Sequence, residues 1–139
     1  AAKDGSVQVL DAGSLSKLAA SRSAAGAGAL AAWQDAGGAH WILNGSTARK
    51  FTGSALEPGW TASHITAPVA SAVVNGVVFL AARTTLYALD AATGQSLWTS
   101  GNTITSPIPR QGGLAVGGSA VYLGTQDGTF YAFGFPIEH

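Results

Sequence analysis

Apolar and polar residues alternate along this chain in short runs, with the period of two that an extended strand requires. The clearest run is Leu86–Tyr87–Ala88–Leu89, which puts Leu86 and Ala88 on one face and Tyr87 and Leu89 on the other. Asp90 to Gly94 follows with turn chemistry: Asp and Thr bond nearby backbone, and Gly94 accepts a positive φ. Ser96–Leu97–Trp98–Thr99 then resumes strand-type residues. Upstream, Val77–Val78–Phe79–Leu80–Ala81 is apolar without alternation and reads as a strand buried on both faces. Asn44–Gly45 is suited to a type I′ hairpin corner, and Asn75–Gly76 turns the chain ahead of this run.

The same pattern recurs. Asp4–Asp11, Asn44–Phe51, Arg83–Asp90 and Asp127–Gly134 begin at intervals of 40 (44 − 4), 39 (83 − 44) and 44 (127 − 83). A period of about 40 residues built from short strands and glycine turns is that of a propeller blade. Residues 5–20 read as the third and fourth strands of a first blade, with Ala12–Leu15 a degenerate corner and Ser21–Gly28 a surface connection. The second blade takes Ala29–Gln34, His40–Leu43, Thr47–Thr52 and Gly59–Thr61. The third enters along the axis over His64–Ala70 and continues through Val77–Ala81, Leu86–Leu89 and Ser96–Thr99. The fourth enters over Ile104–Pro109, followed by Ala120–Gly124 and Thr129–Phe133. Thr66, Ala67, Pro68, Ala70 and Ser71 are small, as crowding round an axis demands.

The corner at the end of the third blade carries a specific spacing, Ala-x-Asp-x-x-Thr-Gly-x-x-x-Trp, formed by Ala88, Asp90, Thr93, Gly94 and Trp98. It resembles the tryptophan-docking motif of pyrroloquinoline quinone (PQQ)-like β-propeller repeats. The resemblance is good over 63–134 and weak over 4–62, where Trp60 aligns with Trp98 but the Asp and Thr-Gly are lost. It implies a structural motif, in which Trp98 packs between blades against Ala88 and a neighbouring backbone turn while Asp90, Thr93 and Gly94 hold the corner. The ending Leu123–Pro136 looks like the C-terminus of such a propeller, whose last blade usually takes its outermost strand from the N-terminus. Gly134–His139 supplies no further docking corner.

The expected fold is therefore all-β: a partial β-propeller of four-stranded antiparallel blades, about three and a quarter of them or roughly 13 strands. The single domain of 1–139 falls into blade pieces near 4–20, 27–62, 63–100 and 104–134. Such an arc leaves sheet edges and two inter-blade faces open, and open edges pair or aggregate. The expectation is the C-terminal portion of a larger ring, completed by another chain or fragment: a separate N-terminal fragment or a symmetry mate.

Composition narrows the function classes. With 47% hydrophobic and 10% charged residues the chain is globular, and a formal net charge of zero gives no electrostatic footprint for nucleic acid. No apolar run reaches the ~20 residues of a membrane span. There is no cysteine, hence no disulfide or thiolate chemistry. There is no methionine either, so the chain reads as a processed product or a piece of a longer precursor. The Ala/Gly/Ser-rich composition leans towards a bacterial extracytoplasmic protein, periplasmic or secreted.

No catalytic set emerges. Asp4 and Asp127 precede glycine in turns, Asp90 belongs to the corner, and Asp35 and Glu57 have no carboxylate partner at a telling spacing. His40, His64 and His139 lack metal-ligand spacing. His64, at the mouth of an inner strand, is the one weak candidate for a cofactor or ligand contact in the central channel. Trp33, Trp41 and Trp60 fit core packing better than a sugar platform. The family resemblance allows PQQ and calcium in a quinoprotein dehydrogenase, but no adjacent-cysteine pair is present and no calcium-ligand pattern matches, so those residues would lie in other blades. The resemblance equally includes envelope assembly scaffolds and sensor domains. The sequence leans towards a non-catalytic scaffold for an envelope or extracellular partner, with a PQQ-dependent dehydrogenase portion and a carbohydrate-binding propeller as alternatives.

Overall fold

The computed structural model describes residues 6–10, 17–22, 29–110 and 114–134. Among these there are thirteen β-strands and no helix. A two-stranded sheet pairs β1 (Ser6–Leu10) with β2 (Lys17–Arg22). The second sheet orders β3 (Leu30–Gln34), β4 (His40–Asn44), β5 (Thr47–Phe51) and β6 (Leu56–Thr61). The third orders β7 (Ala70–Val74), β8 (Val77–Ala82), β9 (Thr85–Asp90) and β10 (Ser96–Thr99). The fourth has three strands, β11 (Leu114–Gly117), β12 (Ala120–Gly124) and β13 (Phe130–Gly134). Every pairing is antiparallel between chain neighbours, as in the blades of a propeller. The first strands of successive sheets, β3, β7 and β11, approach one another.

The third sheet is the middle of the packing, and β8 shows why. Its side chains point alternately to opposite faces. Val78, Leu80 and Ala82 join Leu43, Ala48 and Trp60 of the second sheet in one core cluster. Phe79 and Ala81 join Val121 and Leu123 of the fourth sheet in the other. Val78, Leu80 and Leu89 have no exposed surface, and each such burial contributes about 1.5–3 kcal/mol. The uninterrupted apolar run at 77–82 thus follows from a sheet covered on both sides.

Two segments depart from the expected strands. Residues 62–69 and 100–110 lead into the third and fourth sheets without joining a ladder. Pro68, Pro107 and Pro109 have no N–H to give to one. Instead these segments insert Ile65, Ile104 and Ile108, 2–3% exposed, as plugs between sheets. The amides of Val69 and Ile108 anchor them to the carbonyls of Ala81 and Arg83, both at 2.8 Å. The inner strand of the fourth sheet is Leu114–Gly117, not Ile104–Pro109. Ser21 and Arg22 belong to β2 rather than to a surface connection. The degenerate corner at 12–15, most of the connection (23–28) and the ending at 135–139 lie outside the described residues.

The hairpin corners separate by residue type. At Asn75–Gly76 both residues have positive φ, 50° and 74°, as a type I′ turn requires. At the other predicted corner Asn44 stays in β4, and the turn is Gly45–Ser46 with positive φ at Gly45 only.

Candidate functional site

The residues of the docking spacing meet at the end of β9. The Asp90 carboxylate accepts the amides of Ala92 at 2.8 Å and Thr93 at 3.2 Å. The Thr93 hydroxyl accepts the Gln95 amide at 3.3 Å. The Gly94 amide donates to the Asp90 carbonyl at 2.7 Å, and the Asp90 amide to the Gln95 carbonyl at 2.8 Å. The loop closes on itself, with Gly94 at φ 73°. Ala88 is 5% exposed and lies directly across the ladder from Trp98.

The tryptophan seated on this corner is Trp60. Its indole N–H donates to the Ala91 carbonyl at 2.8 Å, and it is 9% exposed. A Cβ placed on Gly94 would stand 2.5 Å from the Trp60 ring, so only glycine leaves room for it. The ring therefore bridges the second and third sheets, and a corner lacking its own Asp and Thr-Gly still supplies the docked side chain. That second-sheet corner is held otherwise: the Thr52 amide and hydroxyl both donate to the Ala55 carbonyl, at 3.0 and 3.3 Å.

Trp98 differs from expectation. It is 42% exposed and meets Phe133 of the fourth sheet edge-on, at 5.3 Å between ring centroids. Docking needs a neighbouring turn to receive the ring, and among the described residues the fourth sheet ends at Gly134 without one.

Two further aspartates do the same kind of work. Asp35, between β3 and β4, accepts the amides of Gly37 and Ala39 and the indole N–H of Trp41, all at 2.9 Å. These bonds, the Trp41 one first, hold its pKa below the usual carboxylate value. Asp127, between β12 and β13, accepts the Thr125 hydroxyl at 2.5 Å and the Thr129 amide at 3.0 Å, and its pKa is likewise lowered, chiefly by Thr125. Trp41 stacks on Trp33 at 5.9 Å, and Trp33 leans on Trp60 at 6.4 Å, so the three tryptophans form one packed group. Asp35 and its bond to Trp41 escape sequence reading; the signal available was an Asp-x-Gly-Gly loop six residues before a strand tryptophan.

His64 is exposed, lies in the turn after β6 and meets Tyr87 edge-on at 5.8 Å. Among the described residues no group of three His, Asp or Glu side chains is placed to hold a metal ion. His40 is exposed at the start of β4, and His139 lies outside the described residues. No described helix is long and apolar enough to cross a membrane.

No family model and no curated protein matches the chain. Its fold is similar to those of several solved structures, two of which show the range. One is the computationally designed Ika4 protein, at 22% identity and TM-score 0.72, covering 97% of this chain and 82% of that one. The other is BamB from Moraxella catarrhalis, a β-propeller, at 19% identity and TM-score 0.64, covering 95% of this chain and 44% of that one. The chain thus spans less than half the length of BamB. With the sheet order, this makes it a partial β-propeller.

Proposed function

We propose that this chain is part of a non-catalytic PQQ-like propeller, a scaffold that presents its loops to a protein partner in an extracytoplasmic compartment, its ring completed by further blades. The observation that carries this reading is how its acids are used. Asp35 through both carboxylate oxygens, and Asp90 and Asp127 each through Oδ1, accept backbone amides or a local Thr or Trp donor. These bonds shape the loops that a scaffold would present. The envelope setting rests on the family resemblance in the sequence and on the fold likeness to BamB.

The test has three arms. Purified protein is mixed with PQQ and calcium, and quinone absorbance retained after desalting is read beside dye-linked alcohol oxidation. It is applied to a glycan array. It is immobilised and challenged with a solubilised bacterial envelope fraction, with and without prior protease treatment. The scaffold reading expects neither cofactor retention nor oxidation, no glycan signal, and a protease-sensitive partner. Stoichiometric PQQ with alcohol oxidation would replace it with the dehydrogenase reading, and a specific glycan signal with the carbohydrate-binding one.

A further inference from the structure

The fourth sheet repeats the third position by position. In the third sheet Phe79 pairs with Ala88 and Ala81 with Leu86. In the fourth, Tyr122 pairs with Ala132 and Gly124 with Phe130. The face that carries Phe79 and Leu86 is the one the fourth sheet covers, and these residues are 5% and 0% exposed. Their counterparts Tyr122 and Phe130 stack on each other at 6.0 Å yet are 36% and 69% exposed. The fourth sheet therefore presents a face of the kind that receives another sheet. Beyond β13 it also has no fourth strand among the described residues, where β6 and β10 fill that place in the other sheets.

The other end of the arc offers the opposite face. Ile42 stands where Leu80 stands one sheet on, 38 positions later (80 − 42), but it is half-buried where Leu80 is fully buried. Beside it Ala32 is exposed, and Leu30 is 49% exposed. The β1–β2 hairpin lies on the outer side, next to β6, and leaves the inner strand β3 open.

We propose that a second copy of this chain covers the Tyr122–Phe130 face, and that two arcs close head to tail into one ring. The Leu30–Ile42 face of each copy stacks on Tyr122 and Phe130 of the other, and the β1–β2 hairpin comes against the open edge of β13. A two-fold axis then uses each end once and leaves no face over. Two copies bring six main sheets (2 × 3), within the range of four to eight blades that propellers adopt. Since one chain matches 44% of the BamB chain, two approach that protein's whole length. The formal net charge of zero sets up no repulsion between copies. The proposal rests on the reading that the ring is completed by further blades, and names which face receives them and what supplies them.

The native mass of the 139-residue chain, by light scattering on a sizing column, tests it. The expected particle is 27.8 kDa, twice 13.9 kDa. Phe130→Asp and Leu30→Asp are each expected to give a 13.9 kDa monomer with an unchanged far-UV circular dichroism spectrum, since both side chains are on the surface of the single chain, and a lower melt because the second copy no longer stabilises the fold. Ala132→Glu serves as a second variant on the same face. Mixing Phe130→Asp with Leu30→Asp leaves one intact head-to-tail junction, so the mixture is expected to regain the two-chain mass. A wild type that is monomeric at every concentration, a Phe130→Asp protein that remains a dimer, or a mixture that stays monomeric overturns the proposal. A monomer that takes up no PQQ sinks the second copy and leaves the scaffold reading standing, whereas a dimer that oxidises alcohols with PQQ does the reverse.

Discussion

Trp60 and Trp98 close the outer strands of successive sheets, 38 positions apart (98 − 60), and meet different fates. Trp60 is seated on the Asp90–Gly94 corner of the next sheet, with its indole N–H bonded and its ring against a glycine. Trp98 comes from the better-preserved spacing and is 42% exposed. The difference teaches that docking belongs to a pair of neighbouring sheets rather than to one motif. A corner holds the tryptophan of the sheet before it, so the Asp90–Gly94 corner receives Trp60, while among the described residues none receives Trp98.

Removing the seated ring should have the largest effect. Trp60→Ala is expected to destabilise by about 3–5 kcal/mol, read from the urea midpoint, because it opens a cavity between two sheets and orphans the Ala91 carbonyl. A loss below about 1 kcal/mol would break the comparison. Gly94→Ala attacks the same seat from the other side. It forces alanine into a positive φ and its Cβ against the indole, for an expected loss of about 2–3 kcal/mol; a neutral outcome would show that Trp60 moves freely.

Asp90→Ala should cost about 1–2 kcal/mol by removing the acceptor of two backbone amides. Partner binding per folded molecule should stay unchanged, and binding lost with stability intact would make Asp90 a contact residue. Trp98→Ala should cost only about 1 kcal/mol in a monomeric arc, since nearly half of the ring is already in water. A cost equal to that of Trp60→Ala would mean that Trp98 is covered in the assembled protein.

The smallest effect sharpens the loop half of the picture. Asp35 and Asp127 have pKa values lowered from 3.8 by their hydrogen bonds. A depressed folded pKa contributes stability that is fully present above the unfolded value and fades as pH falls through the folded one. Stability should therefore decline below about pH 4, and the Asp35→Asn/Asp127→Asn double variant should flatten that acid limb in thermal melts. An unaltered limb would remove these loops as its source.

Strand positions were legible wherever side-chain alternation and turn residues agreed. Val77–Ala82 and Thr85–Asp90 stand almost where the pattern put them, because a sheet covered on both faces leaves a continuous apolar run and Asn-Gly marks its corner. Leu114–Gly117 was not legible: three residues between glycine pairs look like a loop, and only pairing with β12 makes a strand of them. The Ile104–Pro109 segment misled for the opposite reason, since its isoleucines look strand-like while its prolines keep it out of the ladder. Its buried side chains plug the space between sheets instead. Asp35 looked like an isolated loop acid, and its bond to Trp41 depends on a five-residue hairpin bringing the two side chains together.

By itself the sequence determined the all-β class, the repeat of about 40 residues and the self-bonded corner at Asp90–Gly94, because each depends on side-chain alternation or on contacts a few residues apart. Only the tertiary structure decided which tryptophan is seated, which isoleucines plug the sheets and which face of the last sheet is bare. Those outcomes depend on what lies across an inter-sheet gap, as when Trp60 finds the Ala91 carbonyl 31 residues on, where local pattern carries no information.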